Sequence, residues 1–200
     1  MLSDTMSSQN SLRDRHSDVT RDLILTTAVG LLGESGVTEL TVRAVARAAA
    51  ISERTIFRYF SGRDEFLDAV ADATGKLLNV PTPPSSLEEI CVFPEQLYRS
   101  FEENAELTRA VLHTDIYHRV RRSSGEARWK VVSGLIEKNA RSRSKEEKKI
   151  AATNINYFLS ATTWHYYRTH FGLTSEETIA CAKAAIRQTL DDICGTETGA

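Results

Sequence analysis

Residues 41–60 read TVRAVARAAAISERTIFRYF, and the fold turns on them. Thr41 and Ser52 each stand ahead of a helical pattern, where a hydroxyl accepts from the free N–H groups of a first turn. Val42, Val45 and Ala46 share one face of the first pattern, and Ile56 and Phe60 one face of the second. Only Ala49–Ala50–Ile51 lies between them. This predicts a helix from Thr41 to about Ala48, a tight turn, and a helix from Glu53 to about Phe60. Two short helices at that spacing form a helix-turn-helix.

Working outward, a preceding helix is expected from about Asp18 to Ser35, with Ile24, Ala28, Leu31 and Leu32 as its apolar stripe and Gly36 as a left-handed cap. Residues 1–16, rich in Ser, Asp, Asn and Arg, read as a disordered arm. A fourth helix, from about Arg63 to Leu78, buries Phe66, Leu67 and Val70. All four prolines (81, 83, 84, 94) fall within fourteen residues, which breaks the chain into a helical module over 17–80 and a second over 81–200. In the second, helices are expected at Pro94–Glu103, Ala105–His113, Asp115–Arg122, Ala127–Arg141, Lys145–His170 and Ser175–Cys194. Asn104 and Ser175 serve as caps, and Gly172 as a stop. No run alternates as a strand does. The class is all-α, with about nine helices.

The chain has 200 residues, 41% hydrophobic and 26% charged, which fits a folded soluble protein and excludes a disordered polyelectrolyte or a disulfide-dense scaffold. No stretch approaches the ~20 apolar residues of a membrane span. The N-terminus lacks the apolar core of a secretory signal, and Cys91, Cys181 and Cys194 are odd in number and scattered, so a cytoplasmic location is expected. The net charge is −2, but residues 13–63 hold eight arginines against six acids and no lysine. Arginine's planar fork suits phosphates and guanine edges.

In a helix-turn-helix the second helix enters the major groove. Its outward residues here are Glu53, Arg54, Thr55, Phe57, Arg58 and Tyr59, with Arg54 and Arg58 one turn apart. The helix starts capped by Thr41 and Ser52 suit phosphate oxygens. An ordinary helical pair with a solvated basic face stands as the alternative.

Residues 21–70, RDLILTTAVGLLGESGVTELTVRAVARAAAISERTIFRYFSGRDEFLDAV, resemble the DNA-binding domain of the TetR family of bacterial transcriptional regulators. The matching features are E-x-G closing the first helix, LTVRAVA on the second, IS-x-RTIFRYF on the third and R-D-E-F-L opening the fourth. The resemblance implies that Thr41 and Arg43 reach phosphate or groove, that Arg54, Thr55, Phe57 and Arg58 form the reading surface, and that Tyr59 and Arg63 clamp the backbone. Two positions depart from the pattern: Ala50 stands where glycine is common, and Phe57 where tyrosine is. The resemblance further implies a homodimer on a near-palindromic double-stranded operator, most simply a repressor, with residues 81–200 binding a small effector and dimerising.

In that second module the helix carrying Asn154, Tyr157, Phe158, Trp164 and His165 is aromatic with polar residues interleaved, as in small-molecule pockets. A cavity lined by these residues with Phe101, Tyr117 and Trp129 is expected, anchored by Asn154 or His165, although such a stripe is also what plain core looks like. The charge of −3 over residues 64–200 favours a neutral, cationic or weakly acidic apolar effector. Ile179, Ala182, Ile186 and Leu190 form a stripe suited to a dimer seam or to burial in one subunit. A dimer answering to a protein partner, or to no ligand, is the competing reading. An enzyme is disfavoured, since no catalytic constellation, metal-ligand spacing or cofactor motif is present.

Overall fold

The computed structural model describes residues 3–34 and 39–195. Ten α-helices and no strand occur among them: α1 (Ser3–Leu32), α2 (Val42–Ala48), α3 (Glu53–Tyr59), α4 (Arg63–Leu77), α5 (Leu87–Glu103), α6 (Ala105–Leu112), α7 (Tyr117–Asn139), α8 (Lys145–Phe158), α9 (Ala161–Thr169) and α10 (Ser175–Cys194). The helix-turn-helix forms as the sequence dictates. Thr41 accepts from Ala44 N at 3.1 Å and Ser52 from Thr55 N at 3.1 Å.

Burial divides the helices into two cores. Ile24, Ala28 and Leu32 of α1 meet Val45, Ile56, Phe60, Phe66 and Val70, and this core also takes in Val111, Ile116 and Val120 from α6 and α7. The second core joins α5, α7, α8, α9 and α10 around Leu97, Tyr98, Ile136, Ile155, Trp164 and Ile186. The start of α7 is therefore built into the N-terminal module while its later turns belong to the C-terminal one.

Several expectations are corrected. The helix of the segment read as a disordered arm begins at Ser3, because neither glycine nor proline interrupts the chain before Gly30. Pro94 does not open a helix. It lies inside α5, which starts after Ser86, whose side chain caps Glu89 N at 3.2 Å. The lost N–H bond is outweighed by the buried face of Ile90, Phe93 and Leu97. The two helices expected over 115–141 are one, α7, running through Gly125. The single helix expected over 145–170 is two, because Ser160 caps α9 by accepting from Thr163 N at 3.2 Å. The last helix is capped by Thr174, reciprocally with Glu177, and not by Ser175. Asn104 makes no side-chain cap bond. Gly172 has φ 65° and ends its segment as expected; Gly36 lies outside the described residues.

The stripe assigned to a dimer seam is also corrected. Ile179, Ala182, Ile186 and Leu190 are all buried in the subunit's own second core, against α5 and α8. They are the apolar face of an amphipathic helix whose nearest neighbours are in the same chain.

Candidate functional site

The turn between α2 and α3 shows why the two helices hold their angle. Ala50 N donates to Arg47 O at 3.2 Å and Ile51 N to Ala46 O at 3.0 Å, the paired bonds of a Schellman ending, which demands a left-handed residue between them. Ala50 supplies it at φ 54°. Alanine bears a strain of roughly 1 kcal/mol in that conformation.

Ile56 anchors α3 in the core, leaving Glu53, Arg54, Phe57 and Arg58 exposed. Arg43 and Arg47, one turn apart on α2, are exposed too. None of Arg43, Arg47, Arg54 and Arg58 makes an ion pair among the described residues, so their guanidinium groups are available to a polyanion. Arg47 was missed by the sequence reading, although its spacing from Arg43 was the signal. Thr55 shares its hydroxyl with Ser52 at 2.9 Å, which ties it to the cap. Tyr59 leans back on the first core and its oxygen accepts from Arg58 Nη2 at 3.3 Å. Hydrogen bonds with Thr20 and Arg58 hold its phenol below the usual tyrosine range.

Arg63, expected from the family resemblance to clamp the DNA backbone, is about half exposed and pairs with two acids. Its Nη2 donates to Glu39 Oε1 and to Asp115 Oδ2, each at 3.1 Å, and Asp115 Oδ1 accepts from Leu40 N at 3.3 Å. Asp115 precedes α7, so this cluster fastens the start of the second module to the helix-turn-helix. A second fastening lies nearby: Arg119 donates to Asp64 Oδ1 and Asp68 Oδ1 on α4, both at 2.6 Å.

Beside this joint is a cavity of about 590 Å³, walled by Leu78, Val80, Phe101, Val111, Leu112, Tyr117, Val120 and Trp129, with Arg121, Arg122, Arg128, His118 and Glu126 as its charged or titratable members. Phe101, Tyr117 and Trp129 are among its lining residues. The other residues expected there are not. Trp164 is fully buried and donates to Glu102 Oε1 at 2.9 Å; Phe158 packs on the second core. Asn154 and Tyr157 are exposed on α8, and His165 meets His113 edge-on at 5.6 Å, with burial, then His113 and Arg109, drawing it below the usual histidine range. The break at Ser160 is the cause, since residues on either side no longer share one face. Asn156, Ser160 and Ala161 line the cavity instead.

Arg128 was also missed. It is 8% exposed, its Nε has no hydrogen-bond partner, and burial together with the neighbouring Arg121 charge pulls it down to about 10, so it stays cationic at neutral pH. No periodicity marks a buried arginine; it lies on the long polar helix α7 among others that are exposed.

A helix-turn-helix that presents arginines without ion pairs from both helices, with only helices among the described residues, has the geometry of a DNA-binding module. Residues 24–70 match the family model of bacterial regulatory proteins, tetR family. Over those residues the chain is similar to DNA-binding regulators of the TetR family. Among solved structures it is similar to the Streptomyces coelicolor TetR family protein ActR, in complex with (S)-DNPA, at 17% identity over 86% of this chain and 98% of that chain, with a TM-score of 0.48. No curated protein matches the chain.

Proposed function

We propose that this regulator is a cytoplasmic homodimeric repressor, released from a near-palindromic operator when a small amphipathic molecule fills the cavity beside α7. The observation that carries this is the double duty of α7's first turns. Val120 belongs both to the first core and to the cavity wall, and Arg119, next to it, grips α4. A ligand pressing on that wall and a DNA duplex holding the two recognition helices act on the same joint. Reciprocal coupling follows if the ligand prefers a joint angle that the operator does not. A dimer answering to no ligand would need a filled second module, and the cavity supports the gated reading instead.

Two-fold pairing is required because one short helix reads too few bases, and the second copy must present its helix about 34 Å away or more. With the Ile186 stripe buried, the seam proposed here is the exposed faces of α8 and α10, with Ile150, Asn154 and Tyr157 exposed on the one and Ala180, Cys181 and Ala184 on the other. Thr55, Phe57 and Ser52 complete the proposed DNA surface with the four arginines and Thr41; Tyr59 is assigned the support of α3.

The test is footprinting on DNA flanking the protein's own gene. Two protected half-sites related by a two-fold axis are expected. Protection without symmetry, or none at any flanking site, would contradict the reading.

A further inference from the structure

We propose that the molecule this cavity takes is an apolar compound bearing an acidic group, and that Arg128 is the residue that holds that group. The inference rests on the reading of the cavity as the effector site and adds the ligand's chemical class. Arg128 is more than nine-tenths buried, faces the cavity, and leaves Nε without a partner. Among the described residues no carboxylate pairs with it. Arg121 and Arg122 stand on the same wall, with Glu126 as the one lining carboxylate and His118 as a further titratable group. A buried guanidinium with an open fork is costly while empty and is answered best by a planar anion accepting two parallel bonds. A neutral or cationic compound would leave it unanswered. The apolar body has its own surface in Phe101, Leu112, Val120 and Trp129.

The charge of the module did not single out an acidic compound from neutral or cationic ones, because it sums over a surface that water and salt screen within about 8–10 Å. What a bound molecule meets is the local set.

The test uses two dyes that share an aromatic body, 8-anilinonaphthalene-1-sulfonate and N-phenyl-1-naphthylamine, of which only the first carries an anion. Titrated against the full-length protein, the sulfonate is expected to bind roughly ten- to hundred-fold more tightly, the range for a charge-assisted bond in a dry site. Arg128→Met should abolish that preference while keeping affinity for the neutral dye, which also reports that the cavity is intact. The ligand-free Arg128→Met protein should melt higher than the wild type, since an unpaired buried charge is gone; if it does not fold, Arg128→Gln takes its place. Equal affinity for both dyes, or an unchanged preference in the variant, would overturn the acidic class and leave the cavity standing as a ligand site. Binding of neither dye would overturn the cavity reading itself.

Discussion

Ala50 is the residue whose conformation a side chain resists most plainly, at φ 54° in the turn that sets the recognition helix. Ala50→Gly removes the strain and should stabilise the fold by about 1 kcal/mol, or about 2–4 °C in melting temperature for a chain of this size. A lower melting temperature would show that the turn is held by something other than this backbone geometry. Its neighbours on the proposed reading face are expected to act on DNA rather than on stability. Arg54→Ala and Arg58→Ala should each weaken specific binding by roughly 1–3 kcal/mol if they contact base edges, with unchanged melting. Arg47→Ala should weaken specific and random duplexes alike and flatten the salt dependence, as loss of a phosphate contact does. Titration of operator and random DNA across salt concentrations separates the two kinds of residue. At this scale the sequence was informative wherever a side chain has one job: Thr41 and Ser52 cap, and Ile56 and Phe60 go inward. It gave no sign of the ion pairs of Arg63, because their acids, Glu39 and Asp115, are distant in the chain.

Helix existence was legible from apolar spacing, and helix ends were legible only where a local device makes them. Ser52, Thr41 and Gly172 are such devices. Pro94 looked like one and is not, because a proline within a strongly amphipathic helix loses less than the buried face gains. Ser160 looked like an ordinary helical residue and splits the aromatic segment, which dispersed most of the expected pocket. The same burial pattern fixes the prediction for α10. Ile186→Glu puts a carboxylate into the subunit's own core, and should cost on the order of 4 kcal/mol or more and unfold the protein. Ala184→Glu, on the exposed face, should leave the fold intact and dissociate the dimer. Sedimentation with circular dichroism tells these apart, and a folded monomer from Ile186→Glu would restore the buried stripe as a seam. On α7, Arg119→Ala removes two exposed contacts worth at most about 1 kcal/mol each, so the protein should remain folded. What it should lose is coupling: 8-anilinonaphthalene-1-sulfonate, bound as before, should shift DNA affinity less than in the wild type. An unchanged shift would place the transmission elsewhere than the α4–α7 contact.

For the whole molecule, the division at the prolines is real in sequence and incomplete in space, since Val111, Ile116 and Val120 are built into the core of the N-terminal module. In the proposed function that interlock is what couples the cavity to the helix-turn-helix, and it was not legible because it joins residues some fifty apart, such as Asp64 and Arg119. The proposed reading surface, by contrast, is assembled within one turn and two short helices, so it can be drawn from the sequence alone. The central claim is that this surface, in two copies, selects a DNA sequence. The most direct measurement is selection of bound duplexes from a randomised pool, carried out with the wild type and with a folded Arg54→Ala/Arg58→Ala double variant. The wild type should enrich one near-palindromic site with half-sites at least one helical turn apart, and the double variant should enrich none. Enrichment of the same site by both proteins, or of no site by the wild type, would contradict the account.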